Sequence, residues 1–279
     1  MNNSDIVTNR VFFAPDGWNF DKPNPFSVDG SYGSNWSALS LDEDLYSRYN
    51  VGSRGLGVFS LVVNPEYDGW ECRLSDFVQY ESYYGRSIIV QTSAKYDLRT
   101  VLQDTILHDF RENLIRQSDE RWIVHSSTKE TWELIKKSGC LKSLRRLHDE
   151  GLRTTGIGVD PLGEPDDYID YIMFDTLFGC SEIVVSSRQK GFICFDGDVE
   201  YTPGIRMYFD AHAIINDGLA VRDGAHVLKV YDKLPLEPYL KIAFDENSFS
   251  LPNGEKYWTP SLFTGTANDY FLNNIANDK

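Results

Sequence analysis

The sequence predicts an α+β protein with a mainly antiparallel sheet and a few helices. Segments rich in β-branched and aromatic residues outnumber helical stripes beyond residue 118. No regular strand–helix alternation runs through that part, which removes the doubly wound parallel class. Hydrophobic residues make up 41% of the 279 and aromatics 14%, a composition suited to strands around a sizeable core. The expected division is an N-terminal α/β module over 1–117, of unassigned role, and an α+β domain over 118–279.

Taken in order, the first 57 residues are loop-rich, with turn formers throughout APDGWNFDKPNPFSVDGSYGSNW. A short helix is expected around LDEDLYSRY, after the cap-like Ser40. VFSLVV (58–63) and SIIVQTS (87–93) read as strands. Leu98, Leu102, Ile106, Phe110 and Leu114 recur every fourth position and predict a helix over 97–117. RWIVH (121–125) follows as a strand. Ser127 and Glu130 have the spacing of a capping box. Trp132, Leu134 and Ile135 supply an apolar helix face, which Gly139 ends. GIGVDPLGEPDDYIDYIMFD reads as a loop leading to an apolar element. Strands are then expected at EIVVSS (182–187), FICF (192–195), IRMYFD (205–210), HVLKVY (226–231) and YLKIAF (239–244). The tail, ending NNIANDK, is expected to be loosely held.

The net charge of −15 argues against a general nucleic-acid binder, which needs a basic footprint. The charge is uneven, with a weakly positive stretch over 95–153 between two acidic parts. Over 136–153, Lys136, Lys137, Lys142, Arg145, Arg146 and Arg153 face only Asp149 and Glu150. That is either a solvated helical face or a local anion-binding edge. No apolar run approaches the roughly 18 residues that span a bilayer, and the N-terminus lacks a signal-like pattern. A cytoplasmic protein with no membrane partner is therefore expected. Cys72, Cys140, Cys180 and Cys194 form no C-x-x-C pair and read as reduced thiols.

Phosphate-loop, nucleophile-elbow, zincin and dinucleotide-binding motifs are missing. No two histidines have helical metal-ligand spacing, so no metal site is expected. Polar residues at strand ends remain. His125 ends a strand just before Ser126, Ser127 and Thr128, whose hydroxyls suit ribose or phosphate oxygens, and the helix they open offers free backbone N–H groups. The bland alternative is a capped helix beside a structural imidazole. Arg188, in SSRQKG (186–191), is either an anion clamp or part of an exposed hairpin end. In IRMYFDAH, strand alternation puts Arg206, Tyr208, Asp210 and His212 on one face, as a pocket wall or a solvated face. Arg222, Asp223 and His226 open the next strand, with Arg222 and Asp223 also readable as a turn-stabilising pair. A carboxylate hydrolase built on Asp166, Asp167 and Asp170 is the weakest reading, because PDDYIDY fits a helix start with acids at its positive end.

IVHSST followed by TWELIKKSGCL, and later HVLKVYDKLPLEPYL (226–240), resembles the ADP-ribosyltransferase fold. The nearest groups are the RNA 2′-phosphotransferases and the DNA-targeting ADP-ribosyltransferase toxins. The matches span roughly 121–244. The resemblance implies a split antiparallel sheet holding NAD in a cleft. It gives His125, Arg206, His212 and His226 catalytic roles, and assigns His125, Ser126, Ser127, Thr128, Arg188 and Arg222 to cofactor binding. The chemistry implied is cleavage at the nicotinamide C1′ through an oxocarbenium-like state. The sequence departs from the pattern of many such transferases, since Glu182, Glu200 and Glu237 sit in neither Q-x-E nor E-x-E. The expected function is NAD-dependent ADP-ribosyl transfer to a nucleic-acid or protein acceptor. The alternative is a non-catalytic acidic interaction protein, such as a phage or defence-system component, binding a basic partner. The aromatic residues Trp18, Trp36, Trp70, Tyr32, Tyr46, Tyr49, Tyr83 and Tyr84 would anchor that partner.

Overall fold

A computed structural model of the chain describes residues 10–19, 22–33, 35–41, 48–51, 59–60, 68–92, 100, 102, 113–152, 166–179, 181–224 and 226–276. The chain forms two compact units. The first comprises Met1–Ser118, Gly158–Tyr168 and Val221–Lys229, and the second Asp119–Ile157, Ile169–Ala220 and Val230–Lys279.

In the first unit, β1 (Val11–Phe13), β2 (Trp36–Leu41), β3 (Arg48–Val51), β4 (Phe59–Ser60) and β5 (Ser87–Thr92) form one sheet in the order β1-β5-β2-β3-β4. β5 runs parallel to both β1 and β2, and the remaining pairs are antiparallel. Helix α1 (Trp70–Tyr83) buries Leu74, Phe77 and Val78, while Ile88, Ile89 and Val90 of β5 are sealed in the same unit's core. Arg48 and Tyr49, expected to be helical, begin β3 instead. Most of the helix expected over 97–117 lies outside the described residues, and 113–116 have no regular structure.

In the second unit, β6 (Trp122–Ser127) leads through Thr128 into α2 (Lys129–Ser138). Thr128, rather than Ser127, is the cap, and its hydroxyl accepts from the Thr131 N–H at 3.3 Å. Ser127 stays in the strand, paired with Ile205. Gly139 ends α2 with φ 68°, a left-handed conformation that suits glycine. Next come β7 (Cys140–Lys142), α3 (Leu144–Asp149), β8 (Tyr171–Phe174) and α4 (Ser181–Lys190). They are followed by β9 (Ile205–Asp210) and α5 (Ala211–Asn216). The short strands β10 (Ala220–Val221) and β11 (Leu228–Tyr231) fall partly in the first unit's segment Val221–Lys229, and β12 (Lys233–Pro235), β13 (Leu240–Phe244) and α6 (Pro260–Asn274) complete the second unit. β13, β9 and β6 form an antiparallel sheet, and β12 pairs antiparallel with β7. With helices accompanying mostly antiparallel pairs, the protein is α+β.

Three expectations are corrected in this unit. EIVVSS is helical, forming most of α4, and FICF carries no strand. The C-terminal segment is tied down as far as Ala276, whose N–H donates to the Phe271 carbonyl at 2.9 Å. Phe263, Ala267 and Phe271 of α6 join Trp122, Val124, Val185 and Tyr208 in one buried cluster. The basic stretch over 136–153 is largely neutralised by ion pairs. Lys136 meets Glu133, Lys142 and Arg146 meet Glu150, and Arg145 meets Asp170, which is the solvated-face reading.

Candidate functional site

Strands β6 and β9 set the geometry. His125 lies opposite Met207, and Ser126 opposite Arg206. Cross-strand partners share a face and neighbours along a strand alternate. Ser126, Val124, Arg206 and Tyr208 therefore occupy one face of the sheet, and His125 with Met207 and Phe209 the other. The expected juxtaposition of His125 with Arg206 across a shared hollow is not what the register gives.

Arg206 is sealed at 0% exposure. Its Nε donates to the Tyr208 hydroxyl at 3.0 Å and its Nη1 to the Ser181 hydroxyl at 2.8 Å. Nη2 donates to the Leu177 carbonyl and to Asn268 Oδ1. Glu182 lies 3.6 Å from Nη1 and accepts from the hydroxyls of Ser126 at 2.5 Å and Tyr201 at 3.0 Å. Burial pushes the Tyr208 hydroxyl up to about 12, against the pull of the Arg206 charge. With every nitrogen engaged, Arg206 joins Ser126 and Glu182 in a structural polar network between the sheet and helices α4 and α6. Polar residues alternating along a strand read as a pocket wall or a solvated face, and Arg206 is in neither. Nothing in the linear pattern signalled Ser181, Tyr201 or Asn268 as its partners.

His125 is different. Its Nδ1 lies 3.0 Å from the Met173 carbonyl oxygen. A carbonyl only accepts, so Nδ1 carries the proton and Nε2 of the neutral ring keeps a lone pair. Burial lowers the pKa of the ring, the Met173 hydrogen bond opposes this, and the charge of Arg188 lowers it further. Nε2 has no partner among the described residues.

Arg188, near the end of α4, has no hydrogen-bond or ion-pair partner among the described residues. Its side chain is open to solvent, yet enough protein surrounds the guanidinium to lower its pKa by burial. His125, itself partly open, feels the Arg188 charge. An unpaired cation on α4 and an imidazole with one free nitrogen on β6 are thus coupled through their charge. No known protein family, curated protein or solved structure matches this chain.

The other expected site residues are placed elsewhere or already engaged. Thr128 is spent on its cap, and the Ser127 hydroxyl donates to the Thr128 carbonyl at 3.3 Å. β9 stops at Asp210, whose carboxylate caps α5 by accepting from Ala213 at 3.0 Å. The alternation therefore never reaches His212, which sits in α5 with Nε2 3.4 Å from the Asp119 carbonyl.

Arg222 and His226 belong to the first unit. Arg222 is buried and donates to the Leu114 carbonyl at 2.8 Å. His226 Nδ1 bonds the buried Asp223 carboxylate at 3.0 Å, and Lys229 Nζ lies 2.9 Å from the same oxygen. Lys229 is held between the Tyr80 and Tyr168 rings, 3.9 and 3.8 Å from their centroids, and donates to the Tyr80 hydroxyl at 2.8 Å. Burial alone would raise the pKa of Asp223, but Lys229 and His226 outweigh it and hold that pKa far below the ordinary carboxylate range. The Tyr80 hydroxyl donates to Asp167 at 2.6 Å, and Asp167 pairs with Arg86 at 2.7 Å. Asp167 is thereby committed to structure, which removes it from a hydrolytic carboxylate set. No cluster of His, Cys, Asp and Glu suited to a metal ion occurs among the described residues.

Proposed function

We propose that the second unit is an NAD-dependent ADP-ribosyl-transferring enzyme whose binding recess is built on His125 and Arg188. The observation that carries the reading is an unpaired Arg188 guanidinium whose charge acts on an imidazole with one free nitrogen. The donor set suits the ligand. A guanidinium without a protein carboxylate is matched to a pyrophosphate, and a neutral Nε2 accepts from a ribose hydroxyl. Bound NAD+ would supply an ADP-ribosyl group with loss of nicotinamide.

The chain's own contribution is to orient the cofactor. Met173 fixes the tautomer of His125, and burial keeps the ring neutral so that Nε2 accepts rather than donates. The acceptor is a nucleic acid or a protein. Ser126, Arg206 and Glu182 support the sheet under the recess rather than touching the cofactor.

Calorimetric titration with NAD+ and measurement of nicotinamide release test this reading. Wild type is expected to bind at or below millimolar concentration. His125→Ala and Arg188→Ala are each expected to weaken binding about ten- to hundredfold, the worth of a charge-assisted or buried hydrogen bond. If wild type binds no NAD+ at millimolar concentration, the reading fails.

A further inference from the structure

The segment from Gly191 to Glu200 has no regular structure, yet it is pinned along α4. The Cys194 N–H donates to the Ser187 hydroxyl at 2.9 Å, and the Gly197 carbonyl accepts from the Ser261 N–H at 2.8 Å. Gln189 clamps Thr202 from both sides, at 2.6 and 3.1 Å. A β-carbon at Gly197 would fall 2.4 Å from the Ser261 hydroxyl and 3.9 Å from Ile183, so the segment lies back against that helix.

Held in this way, the segment presents Phe192 and Phe195, 60% and 74% exposed. Asp196, Asp198 and Glu200 follow, exposed and without ion pairs among the described residues. Two large apolar rings fixed in water beside unpaired carboxylates form a surface with a defined complement.

We propose that this segment docks a basic protein segment that carries apolar anchors. The segment's own charged side chains are three carboxylates, which outnumber the bases Arg188 and Lys190 just before it and repel the phosphates of nucleic acids and of anionic lipid headgroups. A chain of net charge −15 is likewise repelled by a second copy of itself. Lysine or arginine side chains on a partner would pair with the carboxylates while its apolar residues cover the two phenylalanines. The inference rests on this segment alone and does not need the NAD reading.

Fluorescence anisotropy of the full chain tests it with three labelled probes. These are an amphipathic peptide of lysine and leucine, its counterpart with glutamate for lysine, and oligothymidylate. Only the basic peptide is expected to bind, with an affinity that falls as salt rises. Phe192→Ser with Phe195→Ser is expected to weaken it at least about tenfold, leaving thermal unfolding unchanged because both rings are already in water. Asp196→Asn with Asp198→Asn and Glu200→Gln is expected to flatten the salt dependence. The proposal is overturned if the basic peptide does not bind, if the double serine variant binds it equally well, or if oligothymidylate or the acidic peptide binds as tightly. Self-association by sedimentation that the serine variant abolishes would also overturn it, by assigning the surface to a second copy.

Discussion

His125 and Arg206 show how little residue type alone says about role. Both were expected at one site, and one-residue alternation along paired strands separates them. Arg206 carries five donors into the interior, where only a committed set of acceptors makes burial tolerable. His125 keeps a free nitrogen because a single backbone carbonyl fixes its ring. Its depressed pKa has a consequence for stability. The unfolded chain takes up the proton near the ordinary value of 6.5, and the folded chain only at lower pH. As pH falls below about 6.5 the unfolded state binds more protons, so folding stability declines until the folded-state value is passed. Urea unfolding at pH 7.5 and 5.5 should show a larger loss for wild type than for His125→Gln, whose amide does not titrate. An equal loss in the two proteins would show that the folded chain protonates His125 as readily as the unfolded one, and the burial that keeps Nε2 an acceptor would go with it.

At the scale of elements, the sequence was most legible where local signals agreed. The β-branched run before His125 forms β6, and Gly139 stops α2 where a left-handed residue is needed. The signals failed at EIVVSS, where Ile183, Val184 and Val185 suggested a strand. That segment is helical because a helix buries Glu182 in the Arg206 network and Val185 in the apolar cluster while leaving Val184 and Arg188 exposed. No window of sequence contains Asn268 or Tyr201, so the partners that decide the outcome were invisible locally. The cap moved by one residue for a similar reason, because Ser127 is still held by its ladder partner Ile205. The same close approach of β6 and β9 makes Gly204 indispensable. A β-carbon there would sit 2.1 Å from the Ser127 carbonyl oxygen and 3.1 Å from Val185. Backbone cannot yield as a flexible side chain does, so Gly204→Ala should cost about 2–3 kcal/mol, the upper end of overpacking penalties. The loss should appear as a lower urea midpoint, accompanied by weaker NAD+ binding as the end of β6 shifts. A variant as stable as wild type would mean that the two strands are not packed this tightly.

At the scale of the whole molecule, a linear division near residue 118 leaves out part of what completes the first unit. Segments Gly158–Tyr168 and Val221–Lys229 return to it, and they carry Asp167, Tyr168, Asp223 and Lys229. Within Met1–Ser118, Arg86 keeps Glu81 at 2.5 Å, but Tyr80 loses both its acceptor Asp167 and its donor Lys229. The closeness of Gly224 to α1 is lost as well, for a β-carbon there would lie 2.4 Å from the Arg73 carbonyl oxygen. Polar groups arranged for buried partners are costly without them, by about 1–3 kcal/mol each and more where charge is involved. A domain's margin of about 5–15 kcal/mol does not survive several such losses. A chain ending at Ser118 should therefore show no cooperative urea transition and no near-ultraviolet circular dichroism. Lys229→Met in the full chain should remain folded but lose about 3–5 kcal/mol, because the buried Asp223 carboxylate loses the ammonium that lies 2.9 Å from it. If the fragment ending at Ser118 instead unfolds cooperatively, the later segments are appended to an already complete unit, and the Asp223–Lys229 pair would have to be sought a role other than stability.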